Sequence, residues 1–173
     1  SNGSGEFEMN TTCRLVIVDG LAKCGKTALA EAIAADLGVP LRFGTFGWLD
    51  AEGPLVVDEF HLTQAMRMAT GSSDMTVQAW AFLDELAARR FARIIFLVDT
   101  PLSAYDRAMC ERHPDDDVSP GCFGKELQAL NTAFSASSVA RKGSYRLTQF
   151  MDPATREKTA MYCLLIETLR KEM

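Results

Sequence analysis

The chain has no apolar run approaching the roughly 20 residues that a membrane-crossing helix needs, so no membrane partner is expected. Its five cysteines, Cys13, Cys24, Cys110, Cys122 and Cys163, form no CxxC pair, and its two histidines, His61 and His113, lie far apart. That pattern supports neither a disulfide framework nor a zinc site. With no signal peptide, it reads as reduced thiols in a cytoplasmic protein. Basic residues are also short, with 18 Lys and Arg against 23 Asp and Glu and a net charge of −5. No global positive field exists to gather polyanions, which excludes indiscriminate nucleic-acid binding but leaves room for a local basic cleft. Internal repeats, linkers and low-complexity tracts are absent.

What is present fits one compact domain of 173 residues. Residues 1–8 read as an expression-tag remnant ahead of Met9, which leaves 9–173 as a single domain. Arg14 to Asp19 is a short, β-branched, almost wholly apolar run. An alanine-rich helical stretch from Lys26 to Leu37 follows, closed by Gly38. Leu41 to Phe43, Leu55 to Asp58 and Arg93 to Asp99 read as further strands. Their continuous apolarity suits a mostly parallel, five-stranded sheet covered by helices on both faces, an α/β fold.

Helices are expected over 62–68 and 77–90, with Trp80, Phe82 and Leu83 in the core. Thr100 and Pro101 predict a helix running to Arg112. The polar stretch from His113 to Gly121 then reads as a candidate lid. A helix over 125–134, a strand over 145–150 and a C-terminal helix capped by Asp152 and Pro153 complete the chain.

The chemistry is concentrated in Gly20, Leu21, Ala22, Lys23, Cys24, Gly25, Lys26 and Thr27, a GxxxxGK[ST] phosphate-binding loop between a buried-type strand and a helix. Glycines let backbone wrap closely around phosphate, and loop amides and the helix N-terminus supply positive potential. Lys26 is placed to reach the β- and γ-phosphates of ATP, and Thr27 to offer its hydroxyl to Mg²⁺. Cys24, beside that helix N-terminus, is expected to have a lowered thiol pKa.

Asp58 ends an apolar strand, and in parallel α/β sheets the carboxyl ends of strands face the ligand crevice. It is a candidate for holding Mg²⁺ through water or for accepting a proton from an attacking hydroxyl, or else for capping the next helix. Leu55 to Glu59 also has the look of a Walker B segment, in which Glu59 would polarise water. Arg107 and Arg112, on the approach to the candidate lid, are candidates to close over the phosphates. Each histidine is expected to be structural.

From Cys13 to Asp117 the order of features resembles the thymidylate-kinase-like branch of P-loop nucleoside and nucleotide kinases. The loop carries that likeness, with Val56 to Thr63 resembling the family's Asp-Arg segment and Phe96 to Pro101 with Arg107 and Arg112 its lid approach. The resemblance implies a P-loop kinase fold and transfer of the γ-phosphate of ATP. Two departures bear on the acceptor. Glu59 stands where the family carries arginine, and a carboxylate repels a phosphate, so a hydroxyl acceptor gains over a monophosphate.

Only 31 residues separate Lys26 from Asp58, where the family inserts an acceptor-binding region. The stretch from Phe43 to Asp50 must supply that wall, with Phe46 and Trp48 as base-stacking candidates and Asp50 as a second general-base candidate. An acceptor site with less cover also admits a nucleotide unit within DNA. Small kinases of this layout occur in bacteriophages, some acting on hydroxymethylated pyrimidines such as hydroxymethyluracil. The expected partner is therefore a nucleoside-type acceptor, free or in DNA, with a thymidylate-type monophosphate kinase and a P-loop ATPase or switch module as alternatives.

Overall fold

A computed structural model describes residues 15–44, 46, 48–51, 53–98 and 120–173, and of 120–123 the backbone alone. Five strands, β1 (Leu15–Gly20), β2 (Leu41–Phe43), β3 (Leu55–Asp58), β4 (Arg93–Leu97) and β5 (Arg141–Tyr145), form one all-parallel sheet in the order β2-β3-β1-β4-β5. Between and after them run α1 (Lys26–Leu37), α2 (His61–Ala69), α3 (Val77–Arg89), α4 (Pro120–Ala136) and α5 (Ala160–Glu172). Among the described residues no helix is long and apolar enough to cross a membrane.

Strand residues alternate between two cores, as the period of 2 requires. Leu15, Ile17, Val57 and Ile94 pack against Leu62 of α2, Leu83 of α3 and Leu130 of α4. Val16, Val18, Val56 and Ile95 pack against Leu29 and Ile33 of α1 and Ile166 of α5 on the other face. Burial on both faces explains why β1, β3 and β4 read as unbroken apolar runs rather than alternating ones. Gly38 ends α1 at φ 67, with its amide bonded to the carbonyls of the last turn.

Two expectations about the last third of the chain are corrected. The fifth strand is Arg141–Tyr145, not 145–150, where a 3₁₀ turn (Leu147–Gln149) stands instead. β5 is a polar edge strand whose pattern carries little hydrophobic signal. Lys142 turns back to donate to the carbonyls of Phe134 and Ser137 at the end of α4, a charge use that periodicity does not show. The final helix begins at Ala160 with Thr159 as its cap, the hydroxyl accepting from Tyr162 N at 3.2 Å. Asp152 caps only a local turn, accepting from the amides of Ala154 and Thr155 at 2.8 and 2.9 Å. In the middle of the chain Leu83 is buried as expected and Trp80 is half-buried. Phe82 is 59% exposed, because it falls on the opposite side of α3 from Leu83, Asp84 and Ala87.

Candidate functional site

Parallel register sets the site. Val18 pairs with Asp58, so the carboxyl ends of the two central strands leave the sheet side by side. From β1 the chain enters the glycine loop, with Gly20 at φ 155, Lys23 at φ 61 and Gly25 at φ 89. Glycine is needed at both ends of the loop for different reasons. A Cβ on Gly20 would sit 2.4 Å from the carbonyl oxygen of Leu97 in the neighbouring strand, and one on Gly25 would sit 2.3 Å from Leu147 Cδ2. The loop is thus clamped between β4 and the turn after β5, with the α1 amides opening above it, an arrangement that attracts anions.

Lys26 opens α1 with its side chain largely buried, and Nζ donates to the carbonyl of Gly20 at 2.9 Å. The same nitrogen lies 4.0 Å from Glu59 Oε2. Thr27 donates its hydroxyl to Asp58 Oδ2 at 2.6 Å. The structure therefore brings Lys26, Thr27, Asp58 and Glu59 together, although 31 positions separate the second from the third.

Asp58 is buried, and it does not cap α2, whose N-cap is Phe60. Its Oδ1 has no hydrogen-bond partner. Burial pushes its carboxyl above the usual aspartate range, against the Thr27 hydrogen bond and the charge of Lys26 that pull it down. A hydroxyl and a carboxylate with a spare buried oxygen form an all-oxygen donor set, which fits a hard divalent cation such as Mg²⁺ that keeps most of its waters.

Other candidates are placed differently. Trp48 is fully buried, edge-on to Phe60 at a ring-centroid distance of 5.0 Å and under the guanidinium of Arg90, so it is a core anchor and not a free stacking surface. Phe46 is 61% exposed and Asp50 is exposed on the same loop. Arg90 pins that loop by donating to the carbonyls of Trp48, Leu49 and Ala51. Asp50 is not brought into contact with Asp58 or Lys26. Arg107, Arg112, Asp99, Thr100 and residues 113–119 of the candidate lid lie outside the described residues, while Pro120 and Gly121, expected to end that loop, instead open α4.

His61 is structural, as expected, its Nε2 bonded to Asp84 at 2.7 Å in the interior. The Cys24 expectation is overturned. Burial pushes its thiol up to about 11, because desolvating a thiolate outweighs the stabilisation from Lys26 and the loop amides. Iodoacetamide at pH 8 should accordingly label exposed Cys163 well ahead of Cys24, read by peptide mass mapping. Faster labelling of Cys24 would mean that the loop opens to solvent.

Three residues of the site were not picked out from the sequence. Asp19 is fully buried and accepts from Gly20 N at 2.9 Å, Phe60 N at 3.1 Å, Thr63 N at 3.3 Å and Thr63 Oγ1 at 2.5 Å. Thr63 itself sits in the first turn of α2. Arg67, two turns along α2, donates to Glu59 Oε1 at 2.5 Å, while Glu59 is held at φ 66. An aspartate closing an apolar strand just before the loop glycine was the available signal for the first. Nothing local marks Arg67, since its partner lies eight residues away across a turn.

Fold and loop together define an α/β protein with an all-parallel sheet and a glycine loop at the carboxyl edge of its central strand. The fold is similar to that of the YorR protein from Bacillus subtilis, crystallised in complex with phosphorylated GDP. That likeness has a TM-score of 0.65 at 17% identity over 92% of this chain and 98% of that one, and at this identity it is a likeness of fold. No protein-family model and no curated protein matches the chain.

Proposed function

We propose that the domain is a P-loop kinase that transfers the γ-phosphate of ATP to a hydroxyl of a nucleoside-type acceptor, free or within DNA. A hydroxymethylated pyrimidine base is one such acceptor. The observation that carries the reading is the convergence of Lys26, Thr27, Asp58 and Glu59 at one edge of the sheet, directly above the glycine loop. The YorR complex supports a nucleotide as the loop's ligand, since a protein of this fold holds one.

In this reading the amides of residues 20–27 and the N-terminus of α1 cradle the phosphates, and Lys26 shifts from Gly20 to the β- and γ-oxygens. Thr27 and Asp58 would hold Mg²⁺, which would supply positive charge against the charge developing on the phosphates. The acceptor oxygen bonds to the γ-phosphorus, the bond to the β-phosphate oxygen breaks, ADP leaves, and the hydroxyl proton passes to a carboxylate. Asp58 is favoured as that carboxylate because its Oδ1 carries no other hydrogen bond, which would leave an oxygen for the proton where Mg²⁺ is held through water. Asp50 is the reserve, and Arg107 and Arg112 supply cations from the candidate lid. A loose transition state asks for positioning and charge more than for a strong base.

A thymidylate-type monophosphate kinase is the second reading, and Arg67 favours it, because a guanidinium at this edge is suited to a phosphate. Glu59 already occupies that guanidinium, which keeps the hydroxyl acceptor ahead. The same pairing tells against an ATPase or switch module, since Glu59 is tied to Arg67 and faces Lys26 rather than being free to polarise water. Labelled ATP should be offered to nucleosides, mononucleotides, plain DNA and DNA carrying hydroxymethylated pyrimidines. Label on a hydroxyl supports the proposal. Label on a monophosphate favours the second reading. Steady phosphate release with no acceptor, abolished by Glu59→Gln, would sink both.

A further inference from the structure

Helix α2 begins without a cap of its own: Phe60 stands at the N-cap position and no side chain of the turn accepts from the first amides. Those amides are orphan donors, and leaving them buried and unpaired is costly. The missing acceptor comes from a different strand. Asp19, the penultimate residue of β1, reaches across to the amides of Phe60 and Thr63 through Oδ2 and to the Thr63 hydroxyl through Oδ1. With Oδ1 it also holds the amide of Gly20, whose carbonyl is the partner of Lys26. One fully buried carboxylate therefore joins the first residue of the phosphate loop to the start of the helix that carries Arg67.

Between these two anchored points lies Glu59, in a left-handed conformation unusual for a glutamate. Its own amide is held by the carbonyl of Val18 at 3.0 Å, and Phe60 on its other side is held by Asp19. A strained turn persists when its surroundings over-determine it. Here the surroundings are the end of β1 and the Asp19 carboxylate.

We propose that Asp19, together with Thr63, is a positioning pair: a cap supplied across elements that sets Glu59 and Arg67 relative to Lys26. It fixes the distance between the donor side and the acceptor side of the site. Neither residue touches a reacting atom. The proposal takes its substrates from the kinase reading above, but the geometry it asserts is independent of which acceptor is used.

The variants are Thr63→Val, which keeps shape and removes the hydroxyl, Thr63→Ser, which restores it, and Asp19→Asn. Thr63→Val should bind a fluorescent ATP analogue within about twofold of wild type, because the loop amides and Lys26 are untouched. Its kcat for phosphoryl transfer should fall by between about tenfold and about a hundredfold, the scale of a misplacement of an ångström or less. Thr63→Ser should recover most of that loss, and Asp19→Asn should lose more than Thr63→Val. Amide hydrogen exchange gives a readout that needs no acceptor. ATP should slow exchange at Phe60 and Thr63 in wild type and do so much less in Thr63→Val.

Equal rates for Thr63→Val and Thr63→Ser would overturn the pair, as would a kcat loss that follows only the fraction unfolded in parallel melts. If wild type labels no acceptor at all, the kinase reading fails. The exchange experiment then still decides the positioning role: unchanged protection in Thr63→Val refutes it.

Discussion

Lys26→Ala should reduce phosphoryl transfer by about a hundredfold to a thousandfold, the scale of losing one preorganised charge on the transition state. Lys26 Nζ lies on the carbonyl of Gly20 at the mouth of the loop. Glu59 Oε2 lies 4.0 Å from the same nitrogen, and the charge of Lys26 also acts on Asp58. In the kinase reading the ammonium would exchange a neutral carbonyl for a phosphate anion in a largely water-excluded position, where a charge–charge contact counts for far more than in water. Alanine removes that gain and also leaves Glu59 facing the phosphates without compensation on that side. Nucleotide affinity and turnover should therefore both fall.

The fold should be unaffected, since alanine suits the first turn of α1. Circular dichroism and the melting temperature check this directly. Lys26→Arg should not rescue, because a planar guanidinium cannot reproduce a point charge seated over one carbonyl. Initial rates with labelled ATP and titration of a fluorescent nucleotide give the measurement. Wild-type turnover in Lys26→Ala would remove the loop from the reaction.

The segment from β1 through α1 was legible in the sequence because several signals agree there. A strand buried on both faces, glycines at both ends of the loop, and an alanine-rich stretch closed by glycine all point to the same local structure. Legibility failed where a tertiary partner decides the outcome. Asp152 looked like a helix cap because its side chain does bond the next amides, but they belong to a turn, and the helix waits for Thr159. Trp48 looked like a stacking surface because aromatics near a site often are, whereas Arg90 and Phe60 enclose it. For Cys24 the helix N-terminus argues for a reactive thiol, and only burial reveals that desolvation is the larger effect. The site shows the same division. Lys26, Thr27 and Asp58 could be named in advance from motif and strand end, while the Arg67 pairing and the reach of Asp19 across to α2 depend on packing that no local pattern encodes.

Asp84→Ala should destabilise the protein by about 3–5 kcal/mol, the range for breaking a buried charged network by removing one partner. Asp84, on α3 and 4% exposed, accepts from Ser137 Oγ at 2.5 Å, from Ser138 N and Oγ at 2.7 Å each, and meets His61 Nε2 at 2.7 Å. It therefore joins the start of α2, the middle of α3 and the end of α4, the three helices that cover one face of the sheet among the described residues. Trp80 adds to the same joint by donating to the carbonyl of His61 at 2.6 Å. Alanine would strand the His61 Nε2 and the Ser137 hydroxyl in the interior.

The pH dependence follows from the carboxyl. Burial alone would raise its pKa, but the bonds from His61, Ser137 and Ser138 outweigh that and hold it well below the ordinary aspartate value. A depressed folded-state pKa contributes stability that is fully present above the unfolded value of about 4 and is lost as pH falls towards the folded one. In urea titrations the gap between wild type and Asp84→Ala should be widest near pH 6–7 and narrow progressively below about pH 4. A gap that stays constant down to pH 2 would mean that the network holds a neutral carboxyl. Because His61 follows Glu59 by two residues, the same variant should also loosen the acceptor edge, so that transfer falls at temperatures where the variant is still folded.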